Sequence, residues 1–225
     1  MNVQGIMTGG DLLSQGAYGC VYHPGFKCKD YKNKKYTKLV AKIQGHGKSA
    51  TNEEAIGKIV YNIPHSKDYF APIVFSCDIS KIDKEKLKQS VEDTDEYGEY
   101  CDIVKNKNTR SNLRVQYIDY INRTFINDHI KSIVGNLQLD PYNASKVGTF
   151  TLYRYFNHLL DAIDKLNKNN IIHFDLHGEN IIVDIDRNLP IIIDFGLSFN
   201  CTFLNPTEKI SKTYKNHKEK FNTYF

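Results

Sequence analysis

Two short apolar runs, Ile181-Ile182-Val183 and Ile191-Ile192-Ile193, flank the polar triplet Asp186-Arg187-Asn188, and this feature constrains the fold more than any other. β-Branched side chains crowd a helix but pack well on a pleated surface, so the segment predicts a β-hairpin turning at the triplet. Pro190 has no N–H to donate and belongs at the edge of the second strand. Neither run alternates apolar with polar residues, so burial on both faces is expected. Antiparallel pairing centred on Arg187 would set Asn180 opposite Asp194. A carboxylate and an amide carbonyl at the mouth of a rigid hairpin suit a hard cation such as Mg²⁺, which takes oxygen ligands and keeps several waters. Asp175 precedes Asn180 on the loop that leaves a long helix.

That helix is read from Phe150 to Asn167, where Phe150, Tyr153, Phe156, Leu159, Leu160, Ile163 and Leu166 recur at steps of three and four and are expected to face the core. Asp11 to Ile43 reads as strands broken by glycines and polar turns, with Leu12-Leu13, Cys20-Val21-Tyr22 and Leu39-Val40-Ala41 as apolar pieces. A shorter helix follows over Asn52 to Tyr61, with Ser49 and Thr51 as candidate caps and a stop near Pro64. Tyr69 to Ile79 and Leu113 to Ile121 read as further strands. Between them, Lys81 to Arg110 is a charged insertion. Its stretch Asp93 to Val104 has the outline of a calcium loop, but Tyr97 and Val104 stand where oxygen ligands are required, so calcium is rejected.

Hydrophobic residues make up 40% of the 225 and charged residues 25%, enough to bury a core and far from the disordered regime. The formal net charge of +4 is too weak a field to make nucleic acid or a membrane the main partner. No apolar run approaches the roughly 20 residues that cross a bilayer, and the first residues lack the pattern of a signal peptide. Cys20, Cys28, Cys77, Cys101 and Cys201 are odd in number and contain no C-x-x-C pair, which predicts neither a disulfide framework nor a zinc site. A soluble chain in a reducing intracellular compartment is expected.

The string His173-Phe174-Asp175-Leu176-His177-Gly178-Glu179-Asn180, the hairpin, and then Asp194-Phe195-Gly196 resemble the H-R-D-L-x-x-x-N and D-F-G segments of protein kinases. Upstream, Leu13-Ser14-Gln15-Gly16-Ala17-Tyr18-Gly19-Cys20-Val21 resembles the glycine-rich loop of that family, with Ser14 at the first glycine position. Val40-Ala41-Lys42-Ile43 resembles its strand lysine motif, and Glu53, with Glu54 in reserve, matches the helical carboxylate that pairs with the lysine. The strand from Leu113 to Tyr117 and the residues after it resemble the link between the two kinase lobes.

The resemblance implies an α+β, protein-kinase-like two-lobe fold: an antiparallel-sheet N-lobe over residues 11–121, with the insertion at 81–110, and a shortened, mainly helical C-lobe over 122–204. Residues 1–10 would be a flexible N-terminus and 205–225 a lysine-rich tail. It also implies Mg-assisted phosphoryl transfer from ATP to Ser/Thr hydroxyls of proteins. Asp175 would be the catalytic base, Lys42 the phosphate contact held by Glu53, and Asn180 and Asp194 the metal ligands. Leu13 to Val21 and Ala41 would surround the nucleotide. The strings look most like those of serine/threonine-type kinases of large DNA viruses, which would place the chain in host cytoplasm or virion.

Three departures keep other readings open. Phe174 replaces the arginine that would receive a phosphorylated activation loop, so regulation by that route is not expected. His177 replaces a lysine, as in small-molecule phosphotransferases of the aminoglycoside and choline kinase type. Only 31 residues follow Asp194, without an A-P-E segment, so a completing polypeptide in trans, or a nucleotide-binding pseudokinase acting as an interaction module, stands beside the kinase reading.

Overall fold

The fold was obtained as a computed structural model, which describes residues 10–16, 19–82, 87, 101, 103, 112–139 and 141–202. The N-terminal lobe is an antiparallel sheet of β1 (Asp11–Gly16), β2 (Gly19–His23), β3 (Leu39–Gly45), β4 (Ile73–Asp78) and β5 (Leu113–Asp119), in the order β1-β2-β3-β5-β4. Side chains alternate across a strand, and directly paired residues share a face. Cys20, Tyr22, Ala41, Ile43, Val115 and Tyr117 are fully buried together in the core on one face. Lys42 is paired with Val21 and with Gln116, and Gln44 with Arg114, so these residues lie on the other face. That face is covered by α1 (Lys48–Tyr61).

Helix α1 starts earlier than its sequence pattern predicts. Ser49 and Thr51 lie inside it, Gly47 occupies the N-cap, and no side chain caps the terminus. β4 likewise begins later than expected, because Tyr69 and Ala71 hydrogen-bond to Ile192 instead, at 2.9 and 3.0 Å.

The cysteine reading is corrected. Cys20 bonds to Cys101 and Cys28 to Cys77, across 81 and 49 residues of chain, and only Cys201 is a free thiol. Spacing along the chain held no sign of this, because the sheet brings the partners together. All four sulfurs sit in the core face away from α1, where the first bond joins β2 to the insertion. The argument for a reducing compartment falls with it. The calcium-like stretch and the tail lie outside the described residues, apart from Cys101 and Ile103 in the former.

Beyond β5, the short strand β6 (Arg123–Phe125) leads into α2 (Ile126–Leu139) and the 28-residue α3 (Pro141–Lys168). β7 (Ile171–Ile172) pairs with β10 (Phe199–Asn200), and β6 joins the hairpin of β8 (Ile181–Asp184) and β9 (Leu189–Ile192). The chain is therefore α+β, with an antiparallel-sheet N-terminal lobe followed by helices and small sheets, compatible with a kinase-like fold. Among the described residues, no helix is long and apolar enough to cross a membrane.

Two expectations change here. The hairpin register is one residue off: Ile181 pairs with Ile192 and Asp184 with Leu189, so Asn180 stands opposite Ile193, whose N–H donates to the Asn180 carbonyl at 3.0 Å. The turn spans 185–188, because Asp184 Oδ1 accepts from the N–H groups of Asp186 and Arg187 at 3.0 and 3.1 Å, and Asn188 takes a left-handed φ of 51°. In α3 the buried face runs through Tyr155, Leu159, Ala162 and Leu166, which pack against the hairpin and α1. Phe150, Tyr153, Phe156 and Leu160 are exposed. The helix carries two apolar stripes, and the sequence period alone did not say which one the hairpin would cover.

Candidate active site

Lys42 is the meeting point of both lobes. Its position in β3 aims it under α1, where Nζ lies 2.9 and 3.0 Å from the two carboxylate oxygens of Glu53 and 3.2 Å from Asp194 Oδ2. Glu54, one residue on, points elsewhere: Arg114 grips it with Nε at 2.9 Å and Nη2 at 3.2 Å. Burial alone would lower the Lys42 pKa, but the carboxylates of Glu53 and Asp194 outweigh it and the net shift is upward, which keeps the ammonium charged. For Asp194, burial pulls upward, yet Lys42 and the Gly196 N–H prevail and its carboxyl titrates below the usual range.

Asp194 reaches Lys42 because of its neighbour. Phe195 is 1% exposed and packs with Ile56, Val60 and Ala162 between α1 and α3, and it meets Phe70 edge to face at 6.0 Å. The backbone turns at Asp194, with φ 59°, and this turn sends the carboxylate away from the buried ring. Gly196 N–H then donates to Asp194 Oδ1 at 3.1 Å. From α1, Asn52 Nδ2 donates to the carbonyls of Gly196 and Ser198 at 3.2 and 2.6 Å, tying the segment to the helix that carries Glu53.

The loop between β7 and β8 forms a second knot. Asn180 Nδ2 donates to the Asp175 carbonyl at 2.9 Å and to Asp175 Oδ2 at 3.0 Å, which fixes the carboxylate and turns the amide. His177 Nε2 lies 3.7 Å from Asp175 Oδ2 and 3.1 Å from Asn180 Nδ2. A Cβ at Gly178 would stand 2.4 Å from Asn127 Oδ1 at the start of α2, so the Asn127 side chain would have to move aside to admit one. His173 Nε2 bonds the Ile193 carbonyl at 3.0 Å, linking the loop to the end of β9. Phe174, at φ 64°, packs against Phe199 of β10.

The residues expected around the nucleotide divide. Val21 and Ser14, directly paired, lie on the Lys42 face, and Leu13 is 42% exposed beside a bulge in β1. Ala17 and Tyr18 lie outside the described residues, and Gly16 pairs with Gly19. Cys20 and Ala41 are fully buried in the core on the opposite face, Cys20 within a disulfide, and Gln15, paired with Cys20, belongs to that side too. Val40, two residues before Lys42 on β3, shares its face. It pairs with Ile118, which packs with Ala71, Ile182 and Ile191. Gly19 answers to close packing, since a Cβ would come within 2.4 Å of the Ile43 carbonyl oxygen.

The conjunction of a lysine held by two carboxylates and a loop aspartate held by an asparagine can be set beside known proteins. No family model matches this chain. Over 55 residues it is 49% identical to a probable serine/threonine-protein kinase KIN1 homolog of Encephalitozoon cuniculi, a match covering 23% of this chain and 10% of that protein. Over 67 residues it is 37% identical to the hormonally up-regulated neu tumor-associated kinase of Mus musculus, covering 30% of this chain and 9% of the relative. A probable KIN1 homolog of Enterocytozoon bieneusi is 42% identical over 45 residues, 20% of this chain and 7% of its own. The similarity is to protein kinases. The matched stretches span a tenth or less of these relatives.

Proposed function

We propose that this chain transfers the γ-phosphoryl group of ATP to Ser/Thr hydroxyls of proteins, a reading carried by the Lys42 ammonium lying between Glu53 and Asp194. Phosphoryl transfer demands positioning and charge compensation more than covalent chemistry. Lys42, kept charged by its two partners, binds the α- and β-phosphates. Val40, Val21 and Ile118 supply the apolar surface for the base. Asp175, held by the Asn180 amide, aligns the acceptor hydroxyl and takes its proton. The donor set fits Mg²⁺: an Asp194 carboxylate and an Asn180 amide oxygen are hard ligands, and the amide nitrogen of Asn180 is engaged by Asp175, which leaves its oxygen to face a cation. Such an ion would neutralise charge on the β- and γ-phosphates.

Asp175→Asn is expected to bind ATP as the parent does and to lose about 10²-fold or more of transfer, the usual contribution of a general base. The assay uses the purified chain, labelled ATP and Mg²⁺ with a generic protein substrate or a metabolite extract. Label on protein that depends on Asp175 supports the reading. Label on a metabolite assigns the site to a small-molecule phosphotransferase, which the Asp175-Leu176-His177 sequence permits. Nucleotide binding without Asp175-dependent transfer makes it a pseudokinase.

A further inference from the structure

Two glutamines occupy the sheet face beneath α1 beside Lys42. Gln44, two residues along β3, is 4% exposed, and Gln116, paired with Lys42 on β5, is 0% exposed. Gln44 Nε2 donates to Glu53 Oε2 at 2.8 Å and to Gln116 Oε1 at 2.5 Å. Gln116 Nε2 then donates to the Ala50 carbonyl at 3.0 Å. The chain of hydrogen bonds starts at the carboxylate that faces Lys42 and ends on the α1 backbone nearly one turn earlier. An ionised carboxylate only accepts, so its demand for a donor fixes the direction of both amides in turn.

Burying an amide costs free energy that an apolar side chain of the same size would not, and it is recovered only where every partner is in place. A leucine or methionine at either position would fill the volume and leave α1 free to settle in several registers over the sheet. The paired amides satisfy one placement only, the placement in which Glu53 meets Lys42. We propose that Gln44 and Gln116 are positioning residues that hold α1 and Glu53 against Lys42, so that the site stands assembled without a modified loop to draw the helix in. The catalytic consequence rests on the kinase reading above; the positioning does not.

The test uses Gln44→Met and, on the neighbouring strand, Gln116→Met, each nearly isosteric, in the full chain. Hydrogen exchange of the α1 amides and the rate at which an amine-reactive reagent labels Lys42, mapped by mass spectrometry, need no enzymatic activity. In either variant that folds, α1 exchange and Lys42 labelling are expected to rise about tenfold, the factor that corresponds to one buried hydrogen bond, while exchange in β8 and β9 stays at the parental rate. If the parent transfers phosphate, kcat falls and KM for the protein substrate holds. A parent that transfers none sinks the kinase reading and leaves the exchange and labelling rates to decide this one. Parental rates in both variants, or exchange that quickens evenly across the whole chain, would overturn the positioning role.

Discussion

The Lys42–Glu53 pair is the most consequential contact in the molecule, because the Glu53 side chain is 3% exposed and that of Lys42 12%. Breaking such a pair from one side strands a charge in the interior. Lys42→Met is therefore expected to cost about 3 kcal/mol of stability, and the double variant Lys42→Met, Glu53→Leu to regain most of it without regaining nucleotide binding; thermal melts and ATP titration check both. His173 makes a second prediction. Burial pushes its imidazole below the ordinary pKa of 6.5, against the pull of the Ile193 carbonyl, and its Nδ1 finds no hydrogen-bond partner among the described residues. A group whose folded pKa is depressed lends stability that is complete above 6.5 and fades as pH falls through the folded value. The melting temperature should drop between pH 7.5 and 5.5, and His173→Phe should flatten that dependence in part. A residue of slope remains from His158, which burial also shifts downward.

At the scale of elements, the hairpin was legible and its register was not. Runs of isoleucine and valine announce paired strands wherever they occur, but the turn length depends on Asp184 accepting two backbone N–H groups, and a three-residue and a four-residue turn look alike in the sequence. A direct Asn180–Asp194 pairing requires the three-residue turn, and the observed register sets Asn180 opposite Ile193. The structure instead brings Asp194 toward Lys42 through the burial of Phe195, a tertiary effect no local pattern contains. Alternation along β3 could have placed Ala41 on the face away from Lys42 and Val40 on the same face as Lys42. The disulfides had no local signature, yet they bear directly on the stability of the sheet. Closing loops of 49 and 81 residues removes chain entropy worth about 4 kcal/mol each in the simplest model. Melts under dithiothreitol, or of the Cys28→Ser, Cys77→Ser variant, should show a loss of that order if both bonds form in solution, and an unchanged transition would show that they do not.

Across the whole molecule, the two lobes are joined by more than the chain between them. Tyr69 and Ala71, just after α1, share backbone hydrogen bonds with Ile192 of β9, and Phe70 beneath them meets Phe195. Lys42 and Asp194, 152 positions apart in the chain, come within 3.2 Å as a result. The separate strings were readable because each has a local pattern, whereas their convergence depends on which face of α3 the hairpin covers and on where Phe195 is buried. If this convergence is a site for a magnesium–nucleotide complex, Lys42 and Asp194 must act on the same ligand from opposite lobes. Calorimetric titration of the full chain with ATP, with and without Mg²⁺, tests this directly. The parent should bind ATP more tightly with the cation present, Asp194→Asn should lose that gain while still binding ATP alone, and Lys42→Met should bind weakly under both conditions. Equal affinities for all three proteins, with Mg²⁺ and without it, would contradict the account.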